Sequence, residues 1–180
     1  MTEPTGALLC VRNLTKDFTQ RTGSLRRAAK RAVAGVSFEV PEGKTLALVG
    51  ESGSGKTTVG LMVLDLLEPT SGEILYRGRS VTGRRGADWL GLRREMQVVF
   101  QDPYSSLNAR LNVGEIVTEG MTVHDLGSGP EERRELARQL LERVGLSASA
   151  LERYPHEFSG GQRQRLAIAR ALSVRPKFVV

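Results

Sequence analysis

Gly50-Glu51-Ser52-Gly53-Ser54-Gly55-Lys56-Thr57 fits G-x-x-x-x-G-K-[ST], and these residue types at this spacing suit one task, holding a chain of phosphates. Glycines let the backbone wrap close to an anion and point successive N–H groups inward. A helix opening at the end of the loop adds its positive N-terminal end. Lys56 is placed to sit on the β- and γ-phosphates of a nucleotide, and the Thr57 hydroxyl to face Mg²⁺. Gly50 through Thr58 is therefore the candidate nucleotide-binding stretch. The alternative, a glycine-rich turn between a strand and a helix, fits less well because both flanks also match the phosphate-loop context.

Those flanks are the elements that must position the loop. Thr45-Leu46-Ala47-Leu48-Val49 is a short apolar run, predicted as a buried strand, and Val59 to Leu67 is predicted as a helix ended by Glu68-Pro69. A second informative stretch is Phe158-Ser159-Gly160-Gly161-Gln162-Arg163-Gln164-Arg165, opening a helix predicted from Leu166 to Ser173 with Leu166, Ala169 and Leu172 as its apolar stripe. Bare backbone N–H groups, a hydroxyl and a helix dipole make this turn a second anion-friendly site. By itself a Ser-Gly turn is commonly a helix cap. Beside the phosphate loop it offers a second hand on one nucleotide.

The remaining chain reads as an α/β core interrupted by helices. Leu8 to Leu14 and Ala32 to Val40 are predicted strands, and residues 19–31, polar and basic, are predicted as a loop between them. Glu73 to Tyr76 and Gln97 to Phe100 are further strands, with a short helix from Leu90 to Met96. Gln101 to Asn108 is a polar loop, followed by helices from Val113 to about Met121 and from Glu131 to Val144. The second has Pro130 at its entry, acids in its first turn, Arg143 in its last and Gly145 beyond, with Leu136, Leu140 and Val144 on one face.

The totals narrow the class. With 180 residues, 39% hydrophobic and 26% charged, the chain is ordinary for a soluble globular domain. The single cysteine, Cys10, excludes a disulfide framework and suits a small core position in a cytosolic protein. No apolar run reaches the length of a membrane span, and Met1-Thr2-Glu3-Pro4 lacks a signal-peptide pattern, so the chain is expected to remain in the cytosol. A net charge of +6 invites a nucleic-acid reading, but the basic residues are dispersed and aromatics are only 5%, with no stacking platform. The basic run Arg26 to Arg31 is expected as a solvated loop.

Taken together, Gly50 to Thr57 resembles a Walker A loop, Val99-Phe100-Gln101-Asp102-Pro103 a Q-loop, and Ser159-Gly160-Gly161-Gln162 the ABC signature. Their order and separation are similar to the nucleotide-binding domains of ABC transporters. More narrowly, Val49 to Gly53, Gln101 to Asn108 and Tyr154 to Gly161 resemble the ATP-binding subunits of bacterial oligopeptide/dipeptide importers. The resemblance covers nearly the whole chain.

It implies an α/β fold: a P-loop NTPase core, with a parallel sheet, flanking helices and an N-terminal antiparallel β part, carrying a helical insertion and incomplete at the C-terminus. The expected division is residues 1–100 for the first part of the core, 101–158 for the Q-loop and helical subdomain, and 159–180 for the signature helix and the next strand. The resemblance also implies roles. Phe18 falls where the family stacks an aromatic on adenine; the alternative is a core Phe at a strand end. Thr57 and Gln101 would be ligands around Mg²⁺, with Gln101 also sensing the γ-phosphate and the attacking water. Ser159, Gly160, Gly161 and Gln162 would hold the γ-phosphate of ATP bound to an opposite protomer, so the partner is a second ATP-binding subunit. The Gln101–Asn108 region would contact membrane permease subunits at the cytoplasmic face of the membrane, and a solute-binding protein would be an indirect partner. His156 is expected to be structural, and His124 is assigned no function.

One departure counts. Phe178-Val179-Val180 resembles the start of a Walker B strand, but the Asp and Glu that follow in the family are not in this sequence. The expectation is a C-terminally truncated chain that binds Mg-ATP weakly and hydrolyses little alone. Rival expectations are an importer ATPase for another solute (nickel, a glycan or a glutathione-like peptide), a soluble non-transport ABC ATPase, and a non-hydrolysing short form.

Overall fold

The computed structural model describes residues 6–22, 26–82 and 86–180, which belong to two compact units, residues 1–84 and 85–180. In the first, β1 (Ala7–Thr22) runs between β2 (Arg26–Pro41) and β3 (Ser71–Tyr76), with the short β4 (Arg79–Ser80) outside β3; all pairings are antiparallel. Leu8, Leu9, Cys10 and Val11 are all buried, the mark of a central strand covered on both faces. The helix α1 (Lys56–Val63) buries Val59, Met62 and Val63 and packs against β1 and β2. It starts three residues before and stops four residues short of the expected span.

Two expectations fail in this unit. Residues 19–31 are not simply a loop: Phe18 pairs with Lys30, Gln20 with Ala28 and Thr22 with Arg26, while residues 23–25 lie outside the described residues. Main-chain pairing needs no apolar alternation, so a polar, basic sequence concealed it. Thr45 to Val49, expected as a buried strand, forms none, and Leu46, Leu48 and Val49 are exposed, Val49 to 89%. A strand exists through its neighbour's hydrogen bonds, and apolar composition alone supplies no neighbour.

In the second unit, α2 (Ala87–Glu95) leads into β5 (Met96–Gln97), which pairs in parallel with β6 (Phe178–Val179). Val99 N–H donates to the Val180 carbonyl at 2.8 Å and extends the pairing, yet Phe100 is exposed, so the expected buried strand is shorter than its apolar run. The rest is helical: α3 (Pro103–Ser106), α4 (Val113–Val123), α5 (Pro130–Arg143), 3₁₀ turns at Ala148–Glu152 and Pro155–Glu157, and α6 (Gly160–Leu172). Asn112 and Glu115 close a reciprocal capping box at the start of α4. Helix α5 has the predicted punctuation, but Ala137 and Leu141 are its buried residues; Leu136, Leu140 and Val144 are only partly covered at the edge of the same core. That core joins Ile116, Val117, Met121, Leu141, Phe158 and Leu166. Among the described residues no helix is long and apolar enough to cross a membrane.

Candidate functional site

The phosphate-loop residues are brought together as one tight turn. Ser54 N–H donates to the Glu51 carbonyl at 3.2 Å, and Val59 N–H to the Gly55 carbonyl at 2.9 Å, where α1 begins. Lys56 Nζ donates to the carbonyls of Gly50 and Glu51 at 2.9 and 2.6 Å, which holds its ammonium over the loop. Gly55 has φ +94°, and a Cβ there would lie 2.3 Å from the Ala32 carbonyl oxygen, so only glycine lets the loop rest on β2. Gly55 is also the N-cap of α1 and brings no side-chain oxygen, which leaves the first-turn N–H groups without a side-chain cap. Ser52, Gly53 and Thr57 are exposed and Thr58 half-buried.

Phe18 belongs to the same unit, on β1, and is 40% exposed. Lys16 Nζ stands 5.3 Å from the ring centroid and donates to the Glu68 carbonyl at 2.5 Å. Asp17 N–H donates to Thr70 Oγ1 at 3.0 Å. The aromatic is thus anchored to the segment that leaves α1. The strand-end position that the alternative for Phe18 requires is absent, since β1 continues four residues past it.

The second unit holds Gln101 and the Ser-Gly-Gly-Gln turn. Ser159 is the N-cap of α6: its Oγ accepts from Gln162 N–H at 3.4 Å, and Gln162 Oε1 accepts from Ser159 N–H at 2.9 Å. The local cap therefore occupies both polar side chains. The glycines have no such local employment. A Cβ on Gly161 would meet nothing within 4 Å, and one on Gly160 only Tyr104 Oη at 4.0 Å. Glycine weakens a helix by about 1 kcal/mol relative to alanine, so two in one first turn are unfavourable unless something outside the chain must come close. Gln101 is exposed, just beyond β5.

Residues 33–180 match the family described as ABC transporter. The chain belongs to that family. It is 46% identical over 177 residues to the oligopeptide transport ATP-binding protein OppF of Bacillus subtilis, covering 98% of this chain and 56% of that protein. It is 48% identical over 182 residues to the dipeptide transport ATP-binding protein DppF of Lactococcus lactis, covering 100% of this chain and 57% of that one. The ABC chain thus spans about half the length of the curated relatives it matches. Its fold is similar to the ATP-binding cassette MJ0796 in a dimeric post-hydrolysis state with ADP and Pi, with TM-score 0.83 and 29% identity over 95% of this chain and 72% of that one. It is also similar to cbiO1 of Clostridium perfringens, part of the ABC transporter complex cbiONQ, with TM-score 0.77 and 26% identity over 97% and 64% of the two chains. The α/β P-loop NTPase fold expected from the motifs is the fold of these neighbours.

Among the described residues of this ABC chain no group of three or more His, Cys, Asp or Glu is placed to hold a metal ion. The donors named for Mg²⁺ are of another kind, the Thr57 hydroxyl and the Gln101 amide oxygen, hard oxygens that suit Mg²⁺ when phosphate oxygens complete its shell. Each is exposed, and each lies in a different unit.

The entry to the Ser159–Gln162 turn is held electrostatically. Glu157 accepts from Tyr154 N–H at 2.6 Å and from Arg153 Nε at 3.4 Å, and the backbone bond first, then the guanidinium, hold its carboxyl below the usual range. His156 stacks on Tyr154 at 5.8 Å between ring centroids, a structural place for that imidazole. His124 is the C-cap of α4; burial, and then the nearby Arg94 charge, push its pKa down.

Sequence reasoning missed three contributors. One is the Ala32 carbonyl beneath the phosphate loop, which no local pattern reveals. Another is Lys16 against Phe18. The third is α3, a helix within the expected polar loop, which Asp102-Pro103 starts: Asp102 Oδ1 accepts from Tyr104 N–H at 2.9 Å, and Pro103 opens the helix.

Proposed function

We propose that this chain is the ATP-binding and ATP-hydrolysing part of an ABC importer for oligopeptides or dipeptides, energising a membrane permease. The observation that carries the nucleotide part is the uncapped start of α1 beside the Lys56 ammonium, which brings a cation and helix N-terminal N–H groups together in one turn. The peptide part is supported by the 46–48% identity to peptide-transport ATP-binding proteins across almost all of the chain.

The roles are those that the resemblance to ABC nucleotide-binding domains implies. The loop N–H groups and Lys56 hold the β- and γ-phosphates, and Gly50 through Thr58 wrap the triphosphate. Phe18 offers its open ring to adenine. Gln101 orients the attacking water and senses the γ-phosphate. Thr57 and Gln101 hold Mg²⁺, which when bound neutralises charge developing on the phosphate oxygens. Ser159 to Gln162 face the γ-phosphate on a second ATP-binding subunit; the open space over Gly161 supports this, because a phosphate needs to approach bare backbone there. The Gln101–Asn108 region meets the permease at the cytoplasmic face, and a solute-binding protein delivers the solute. Functionally, residues 1–100, 101–158 and 159–180 then serve as binding core, permease-facing insertion and signature segment.

The test uses the full-length subunit assembled with its permease in proteoliposomes, supplied with labelled dipeptides and oligopeptides. ATP-dependent peptide uptake is expected, abolished by Lys56→Ala. Uptake of nickel or a glycan instead makes it an importer of another solute. ATP binding without turnover makes it a non-hydrolysing form, and failure to join any membrane assembly makes it a soluble ABC ATPase.

A further inference from the structure

The short helix α3 begins two residues after Gln101 and is fastened to α6 at two points. The Tyr104 ring centroid lies 4.1 Å from the guanidinium carbon of Arg163, and Arg170 Nη1 donates a 2.6 Å hydrogen bond to the Ser106 carbonyl. Arg163 and Arg170 are seven residues apart, two helical turns, so both lie along one side of α6. At its other end, α3 is referenced to the Gln101 loop by the Asp102 cap and by the fixed φ of Pro103.

Arg163 also reaches the other way. Its Nη2 donates to the His156 carbonyl at 3.2 Å, in the turn just ahead of Ser159. Its Nε is buried and has no hydrogen-bond partner, an unfavourable place for an N–H. The aromatic face is what the guanidinium gains there. Tyr104 is 63% exposed, so this stack is no by-product of core packing, and its Oη lies 4.0 Å from where a Cβ on Gly160 would stand.

We propose that Tyr104 and Arg163 are positioning residues for hydrolysis: their stack makes the Gln101 loop and the Ser159–Gln162 turn shift as one body. This rests on the functional reading above. The γ-phosphate sensor for the nucleotide on this chain and the turn offered to the nucleotide on the opposite protomer are thereby coupled through this stack, with the Arg170–Ser106 hydrogen bond beside it. The coupling needs an aromatic ring and a planar cation; the tyrosine hydroxyl contributes nothing essential.

The experiment is steady-state ATP hydrolysis by the full-length subunit assembled with its permease, for wild type, Tyr104→Phe, Tyr104→Ala, Arg163→Met and the Tyr104→Ala/Arg163→Met pair. Expected are kcat values lowered about fivefold in Tyr104→Ala and in Arg163→Met, KM for ATP within about twofold of wild type, near wild-type kcat in Tyr104→Phe, and a double variant no worse than either single. A rise in KM with unchanged kcat, multiplicative losses in the double variant, or a Tyr104→Phe as impaired as Tyr104→Ala overturns the proposal while leaving the functional reading intact. A wild-type assembly that does not hydrolyse ATP overturns the functional reading, and the positioning role falls with it. A variant that fails to assemble is replaced by Arg163→Lys, which keeps the charge and loses the planar stack; full kcat there overturns the proposal too.

Discussion

A Cβ on Gly55 would stand 2.3 Å from the carbonyl oxygen of Ala32, so the phosphate loop is pressed directly against the backbone of β2. Backbone cannot move aside as a flexible side chain can, and φ +94° is already costly for any L side chain. Gly55→Ala should therefore lose about 2 kcal/mol or more of stability together with nucleotide binding. Chemical denaturation and titration with a fluorescent ATP analogue measure the two effects. Unchanged stability would mean that the loop can lift off β2.

Gly161→Ala should behave in the opposite manner. Nothing lies within 4 Å of a Cβ there, and alanine favours a helix by about 1 kcal/mol, so the melting temperature should hold or rise. On the proposed reading a phosphate approaches where the methyl group would stand, so ATP hydrolysis by the assembled protein should nevertheless fall at least tenfold, on the order of 1.4 kcal/mol in the barrier. A stabilised variant with full activity would show that the turn faces no ligand.

On the proposed reading, Phe18 serves the base and not the phosphates. Phe18→Ala should weaken ATP binding about tenfold, a loss of roughly 1.4 kcal/mol, while Phe18→Tyr stays within about twofold. Binding of inorganic triphosphate should be unaffected by either change. Equal losses for ATP and triphosphate would assign the ring to the core instead.

Helix α5 carries an acid-sensitive pair. Arg138 donates to Glu135 at 2.6 and 2.8 Å and Gln139 adds a third bond, which together lower the carboxyl from 4.5 to about 2. A carboxyl with a depressed folded pKa stabilises fully above its unfolded value and loses that contribution as pH falls through the folded value. The chain should lose stability between pH 4.5 and about 2, and Glu135→Gln should lack that part of the slope. Denaturation midpoints at successive pH values test it; the pair is exposed, so the difference is small. Identical slopes would remove the pair from the account.

Much of this protein is written in short stretches of its sequence. The phosphate loop, the Ser159 capping box and the ends of α5 rest on residues a few positions apart, where glycine freedom, hydroxyl caps and the helix dipole act locally. The family follows from the order of such stretches. Tertiary structure decided the rest, because it depends on contacts distant in sequence. The polar arms of β1 and β2 are strands since each supplies the other's hydrogen bonds, whereas Thr45 to Val49, apolar and strand-like, is not one since no described segment pairs with it. The Ala32 carbonyl under Gly55 and the Arg163 guanidinium against Tyr104 join residues 23 and 59 positions apart, and local pattern carries no information at that range.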